Sequence, residues 1–179
     1  RYLDEQAFRF NERKGKDANA PDGTLVRFTP DPEIFGRYAW DDGFIEHRLW
    51  YYAYLNAGLQ IDYNGRSFRS ENGLADLLER EIGEEPPLYD VIHARLGRVE
   101  LAFTHTHTYG ENYFSFVNGQ FTNDGGTHLS AFREGILKGI NQFAKKTFSG
   151  EDVRDGIIGA VAIKIQDPVF ESQTKNKLG

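Results

Sequence analysis

Apolar residues recur along this chain with two rhythms, and the change from one to the other divides it into elements. A repeat near 3.6 marks a helix with one buried face, and a repeat of two marks a half-buried strand. Phe44, Ile45, Leu49, Tyr52, Ala53 and Leu55 follow the helical rhythm and predict a helix over 44–57, stopped at Gly58. Strand signals at 59–63 and 66–69 flank Asn64-Gly65, the dipeptide that suits a tight hairpin turn. A short helix over 73–82 ends before Pro86-Pro87. Residues 91–96 and 99–106 predict a second hairpin around Gly97, and 113–117 adds a strand with Phe114 and Phe116 on one face. After Asn123-Asp124-Gly125-Gly126, the stripe Leu129, Phe132, Ile136, Leu137, Ile140, Phe143 and Ala144 predicts a long helix over 127–148, with Thr127 as its N-cap. Residues 156–166 (GIIGAVAIKIQ) are almost continuously apolar, as in a strand buried on both faces.

The beginning is different. Residues 1–22 are polar and irregular, with a short helix predicted over 3–10, mixed charges from Glu12 to Asp17 and a turn at Pro21-Asp22-Gly23. Residues 24–28 (TLVRF) read as a strand, broken by Pro30-Asp31-Pro32. The succession of hairpins and two substantial helices predicts an α+β fold, a mixed sheet with helices packed on one face.

Composition narrows the chemistry. Among 179 residues, 39% are hydrophobic and 27% charged, as in a globular protein. There is no Cys, which excludes disulfides, thiolate metal sites and cysteine nucleophiles. There is no Met, and a chain that starts at Arg1 reads as a fragment of something longer. No apolar run approaches 18 residues, so no membrane span is expected. A net charge of −6 argues against a dedicated nucleic-acid binder and leaves room only for local DNA contact. Lys138, Lys145 and Lys146, outside the stripe of the long helix, are the candidates, although a lysine pair at a helix C-terminus also suits the helix dipole.

Several constellations could carry chemistry. His105 and His107, two apart on a strand, would share a face and could bind zinc with His93, His128 or a carboxylate. No second pair has ligand spacing, so a solvated hairpin face is the plainer reading. Glu100 with Glu111, or Glu151 with Asp155, could form an acid–base pair, but nothing in the sequence fixes their separation. Gly125-Gly126-Thr127 opens a helix, and helix N-termini attract phosphate, whereas a glycine pair there is more often a tight turn. No GxxxxGK[ST] loop is present. Near the end, Gln173-Thr174-Lys175 projects polar groups beyond the buried strand. A lysine at a loop tip is a suitable point charge for a terminal phosphate, and an exposed turn is the bland alternative.

Four stretches taken together carry a resemblance: 23–35 (GTLVRFTPDPEIF), 54–61 (YLNAGLQI), 115–128 (SFVNGQFTNDGGTH) and 152–179 (DVRDGIIGAVAIKIQDPVFESQTKNKLG). In this order they resemble the second N-terminal domain, the transducer, of the B subunits of bacterial gyrase and topoisomerase IV, which are type II topoisomerases with a GHKL-type ATPase. The last two stretches are the most specific. The resemblance covers most of 23–179 and divides the chain into an irregular segment 1–22 and a transducer 23–179. It departs mildly at Arg154-Asp155-Gly156, where the family usually has Arg-Glu-Gly.

The resemblance implies a fold like the second domain of a small-subunit ribosomal protein, with a left-handed βαβ crossover. It also implies that Lys175, with Gln173, contacts the ATP γ-phosphate held by an upstream domain. ATP and Mg2+ would be the cofactors, bound mainly upstream. The partners would be DNA, the topoisomerase A subunit in a heterotetramer, and a second copy of the ATPase subunit on ATP binding, in a cytoplasmic, nucleoid-associated enzyme. The fragment alone would be inactive. YNGRSF and FESQTK lean toward topoisomerase IV, with gyrase left open. A MutL-type ATPase coupling module and a nucleic-acid-binding module of the same fold are the alternatives. The SFVNG…GGTH stretch speaks against the first, and the acidic balance against the second.

Overall fold

The computed structural model describes residues 7–10, 24–27, 30–84 and 86–179, and the chain divides into two compact units, 1–42 and 43–179. In the first unit, β1 (Ala7–Phe10) pairs antiparallel with β2 (Thr24–Arg27). A strand therefore stands where part of a short helix was expected. Four consecutive residues paired with β2 satisfy backbone groups that so short a helix would leave free. The charged run at 12–17 and the turn at 21–23 lie outside the described residues. The expected break after β2 is the start of α1 (Pro32–Phe35), where Asp31 Oδ1 accepts the Glu33 N–H at 2.9 Å and Pro32 takes the first helical position.

The second unit is built on a five-stranded sheet. In chain order its elements are α2 (Asp42–Leu55), the hairpin β3 (Ile61–Tyr63) and β4 (Arg66–Phe68), α3 (Leu74–Ile82), β5 (Ile92–Leu96), β6 (Val99–His105), β7 (Glu111–Val117), β8 (Gln120–Phe121), α4 (Thr127–Ala144), α5 (Gly150–Arg154) and β9 (Ile157–Ile163). The order across the sheet is β5-β6-β9-β7-β8. β9 is central, antiparallel to β6 and parallel to β7. This is the mixed sheet the pattern predicted, and β9 is buried on both faces as its unbroken apolar run required.

That burial shows where the helices must lie. Even-numbered residues Ile158 and Ala160, with Ala102, Phe114 and Phe116, pack under Tyr51 and Tyr54 of α2 and Leu74, Leu77 and Leu78 of α3. Odd-numbered Ile157 and Val161, with Leu101, Phe103 and Tyr113, pack against Phe132 and Ile136 of α4 and Val153 of α5. The α+β class holds, but the helices cover both faces of the sheet, not one. A strand apolar on both sides needs a cover on each.

Local chemistry sets the boundaries. The β3–β4 hairpin turns through Asn64 (φ 48°) and Gly65 (φ 75°), the left-handed pair its sequence demanded. Asn118 (φ 50°) and Gly119 (φ 84°) repeat the device between β7 and β8. α4 stops at Ala144 and does not run on to 148. Lys145 is left-handed at φ 51°, and the Asn141 side chain clamps Phe148 by accepting its N–H at 2.8 Å and donating to its C=O at 3.2 Å. Ser149 and Asp152 then form a capping box that starts α5. Among the described residues no helix is long and apolar enough to cross a membrane.

Candidate functional site

The candidate site is the loop that follows β9. Phe170 and Leu178 close it with an antiparallel bridge. Just inside, Glu171 N–H donates to Lys177 C=O at 3.1 Å, and Lys177 Nζ lies 2.8 Å from Glu171 Oε1. That contact raises the Lys177 ammonium above its ordinary pKa, first through the hydrogen bond and then through the carboxylate charge. The tip is a turn in which Lys175 N–H donates to Ser172 C=O at 3.1 Å, while the Ser172 and Thr174 hydroxyls bond at 2.7 Å. Lys175 sits in the left-handed region at φ 57°. Gln173, Thr174 and Lys175 are all exposed. Among the described residues no carboxylate lies within ion-pair distance of Lys175, so the tip presents one unneutralised ammonium on a braced stem.

Both limbs of the loop are tied down. The incoming limb is held where the Asn118 side chain donates to Ile165 C=O and accepts its N–H, each at 2.9 Å. The outgoing limb lies against the turn that opens α4. There Asp124 N–H donates to Asn176 C=O (3.0 Å), Leu178 N–H to Gly125 C=O (3.1 Å) and Thr127 N–H to Leu178 C=O (3.3 Å). Gly126, at φ 134°, is the N-cap, and a Cβ on it would stand 2.4 Å from the Leu178 carbonyl oxygen. Thr127 is thus the first helical residue and not the N-cap, and its hydroxyl donates to Gly179 C=O at 2.9 Å. The glycine pair that could have cradled a phosphate is instead the floor on which the loop's own backbone rests, and the α4 terminus meets a carbonyl there.

Beneath this turn, His128 is buried at 8% exposure. Its Nε2 lies 3.2 Å from Thr122 Oγ1, which in turn donates to Ser115 C=O at 2.9 Å. Burial holds the His128 imidazole below its ordinary pKa and favours the neutral ring. The chain of contacts bolts the start of α4 to β7.

The other candidates separate. His105 is spent between the Tyr89 hydroxyl on Nδ1 and Val153 C=O on Nε2, and His93 faces Glu100 at 2.9 Å. Among the described residues no group of three His, Asp or Glu could hold a metal ion. Glu100 and Glu111 stand opposite Ala162 and Ile157 of β9, five positions or about 17 Å apart along the sheet, and on opposite faces. Glu100 caps α3 by accepting the Leu74 N–H at 3.1 Å. Glu111 accepts a two-pronged contact from Arg133 at 2.8 and 2.9 Å, with Arg154 Nε 3.1 Å away. Desolvation raises its carboxyl, but the hydrogen bonds outweigh this, and the group stays below the ordinary value. Asp155 Oδ1 accepts the Gly110 N–H at 2.8 Å and braces a loop, while Glu151 is exposed. Lys138 pairs with Glu134 at 3.3 Å one turn earlier, and Lys145 and Lys146 follow the end of α4.

The comparisons with known proteins converge. Residues 71–179 match the family described as DNA gyrase B. The chain is 54% identical over 158 residues to the B subunit of DNA topoisomerase 4 from Borreliella burgdorferi, covering 88% of this chain and 26% of that protein. It is 36% identical over 183 residues to the B subunit of DNA gyrase from Thermotoga maritima, covering 88% and 29%. The 43K ATPase domain of Thermus thermophilus gyrase B, solved with an aminocoumarin, superposes with a TM-score of 0.75 at 34% identity over 92% of this chain and 50% of that one. The chain thus spans between a quarter and a third of the length of these curated relatives.

Proposed function

The chain belongs to the DNA gyrase B family, and from that premise we propose that residues 23–179 are the transducer of the ATPase subunit of a type II topoisomerase. Its work is to couple ATP binding and hydrolysis to DNA strand passage. Lys175 is the sensor, placing its ammonium on the γ-phosphate of a nucleotide held by a preceding domain, with Gln173 donating to the same phosphate. One observation carries the reading: a single exposed ammonium, free of carboxylates among the described residues, at the tip of a loop whose two limbs are hydrogen-bonded to the domain body. Phosphoryl transfer depends mainly on positioning and on neutralising charge that develops on the transferred group, and a fixed cation supplies both.

On the same reading, magnesium is held with the nucleotide in the preceding domain. DNA, the A subunit and a second copy of the ATPase subunit are the partners of the whole enzyme. The 54% identity to a topoisomerase 4 relative favours topoisomerase IV over gyrase. Lysine footprinting of the full-length protein tests the assignment. Acylation of Lys175 should be suppressed by a non-hydrolysable ATP analogue and restored by ADP, while Lys177, already paired with Glu171, changes little. Equal labelling of Lys175 in both nucleotide states would remove it from the phosphate.

A further inference from the structure

We infer that Gly126 and Leu178 form a latch that makes the sensing loop a rigid part of the domain, so that Lys175 cannot be displaced without moving α4 and the sheet. The inference rests on the reading of Lys175 as the sensor and names the positioning residues behind it. A sensor on a free tether could follow or release a phosphate with no consequence for the body of the domain. Here the tether is absent. The outgoing limb shares three backbone hydrogen bonds with residues 124–127, and the Leu178 side chain is buried at 6% exposure.

This docking requires the absence of one side chain. A Cβ at Gly126 would meet Leu178 O at 2.4 Å and Leu178 N at 2.6 Å, both backbone atoms that cannot rotate away, at a φ of 134° that disfavours any L side chain. Gly125 provides the contrast. It too has a positive φ, 72°, but its Cβ would meet only side-chain atoms of Leu129, the tight contact being with the flexible end at 2.9 Å. Behind the latch, His128 and Thr122 fasten the start of α4 to β7. α4 then extends about 27 Å from the loop, at about 1.5 Å per residue over 18 residues. A shift of the loop at one end becomes a rotation of the whole body, the rigid-body form of a ligand-driven switch.

The test compares Gly126→Ala and Gly125→Ala in the full-length protein with its A subunit and DNA. Gly126→Ala should speed hydrogen exchange in the peptide 170–179 at least about tenfold, leaving the middle of β9 protected. It should also lower the ATPase kcat at least about tenfold with KM within about threefold. Gly125→Ala should do much less of both. Should Gly126→Ala fail to fold, Leu178→Ala carries the same two readouts. Unchanged exchange in 170–179 would show there is no latch to open. Faster exchange with kcat within threefold of wild type, while Lys175→Ala is crippled, would show that sensing does not need the latch. A silent Lys175→Ala would instead defeat the sensor reading, and the exchange measurement would stand apart from it.

Discussion

Lys175→Ala in the full-length protein isolates one charge. The side chain is exposed at the loop tip and makes no ion pair among the described residues, so its removal takes no packing from the domain. Alanine keeps a Cβ at the same left-handed φ of 57°, which leaves the backbone strain as it was. The stem pair Glu171–Lys177 also survives. Thermal unfolding should therefore be unchanged. The kinetic effect is that of one charge-assisted contact, about 1.5–3 kcal/mol. At about 1.36 kcal/mol per decade this is a fall of roughly 10- to 150-fold in turnover. The upper half of that range is expected if the contact strengthens as charge develops in a closed, water-poor site, where one lost donor costs about 100-fold or more. If, as proposed, a preceding domain holds the rest of the nucleotide, its affinity should weaken less. The assay is steady-state ATP hydrolysis with the A subunit and DNA, run beside a melt and a Lys177→Ala control. Turnover within about threefold of wild type, with an unchanged melt, would leave Lys175 supplying well under 1 kcal/mol to the barrier and would refute the argument.

Two further outcomes follow from packing and protonation. Phe116 is fully buried against Tyr51 and Phe121, with ring centroids 5.2 and 5.4 Å apart, so Phe116→Ala should cost about 3–5 kcal/mol in urea unfolding; a loss under about 1 kcal/mol would mean that this face of the sheet is not the core described. The His128 ring has a folded pKa lowered by burial, so its contribution to stability is complete above the unfolded value of about 6.5 and declines as pH falls below it. His128→Asn should remove that share of the loss between pH 7 and 5, and parallel curves for the two proteins would show that the ring is not held neutral. Asp76 works in the same direction at lower pH. Desolvation raises its carboxyl, but hydrogen bonds from Asn72, Ser70 and Glu71 prevail, and the stability it lends is lost as pH falls through and below the ordinary carboxylate value.

Much of the fold was legible because its signals are local. Asn64-Gly65 forces its hairpin whatever surrounds it, and the stripe on α4 and the apolar run of β9 each state how many faces are buried. What failed depended on distant partners. The strand at Ala7–Phe10 exists by pairing with Thr24–Arg27, which no local pattern in a polar segment announces. The end of α4 is set at Ala144, where Asn141 reaches forward to Phe148, and not at 148 as the helix was expected to run. Helices on one face alone were at odds with β9 from the start, because a strand apolar on both sides already calls for two covers. The site was legible unevenly. Gln173 and Lys175 stood out only through resemblance, since a lone polar tripeptide in a turn is commonplace. The carboxylate and histidine candidates dissolved because their partners, Arg133, Arg154, Tyr89 and the Leu74 amide, are remote in sequence.

The geometry also explains why two stretches of the sequence carried the resemblance so specifically. Residues 115–128 and 152–179 lie far apart in the chain, yet Asn118 holds Ile165, Asp124 holds Asn176, and Gly126 admits Leu178. They are two halves of one object, the loop that carries Lys175 and the seat that fixes it. Asn118 supplies the left-handed turn and two hydrogen bonds to the incoming limb. Gly126 supplies the space, and Thr122 and His128 the footing below. A substitution in either half is felt in the other, because the contacts between them run largely through backbone atoms whose places depend on both. A loop that merely displayed a lysine would need none of this. The cost of holding three left-handed residues, Asn118, Asp167 and Lys175, and a glycine at φ 134° is intelligible if the position of one ammonium relative to the body of the domain is what the arrangement secures.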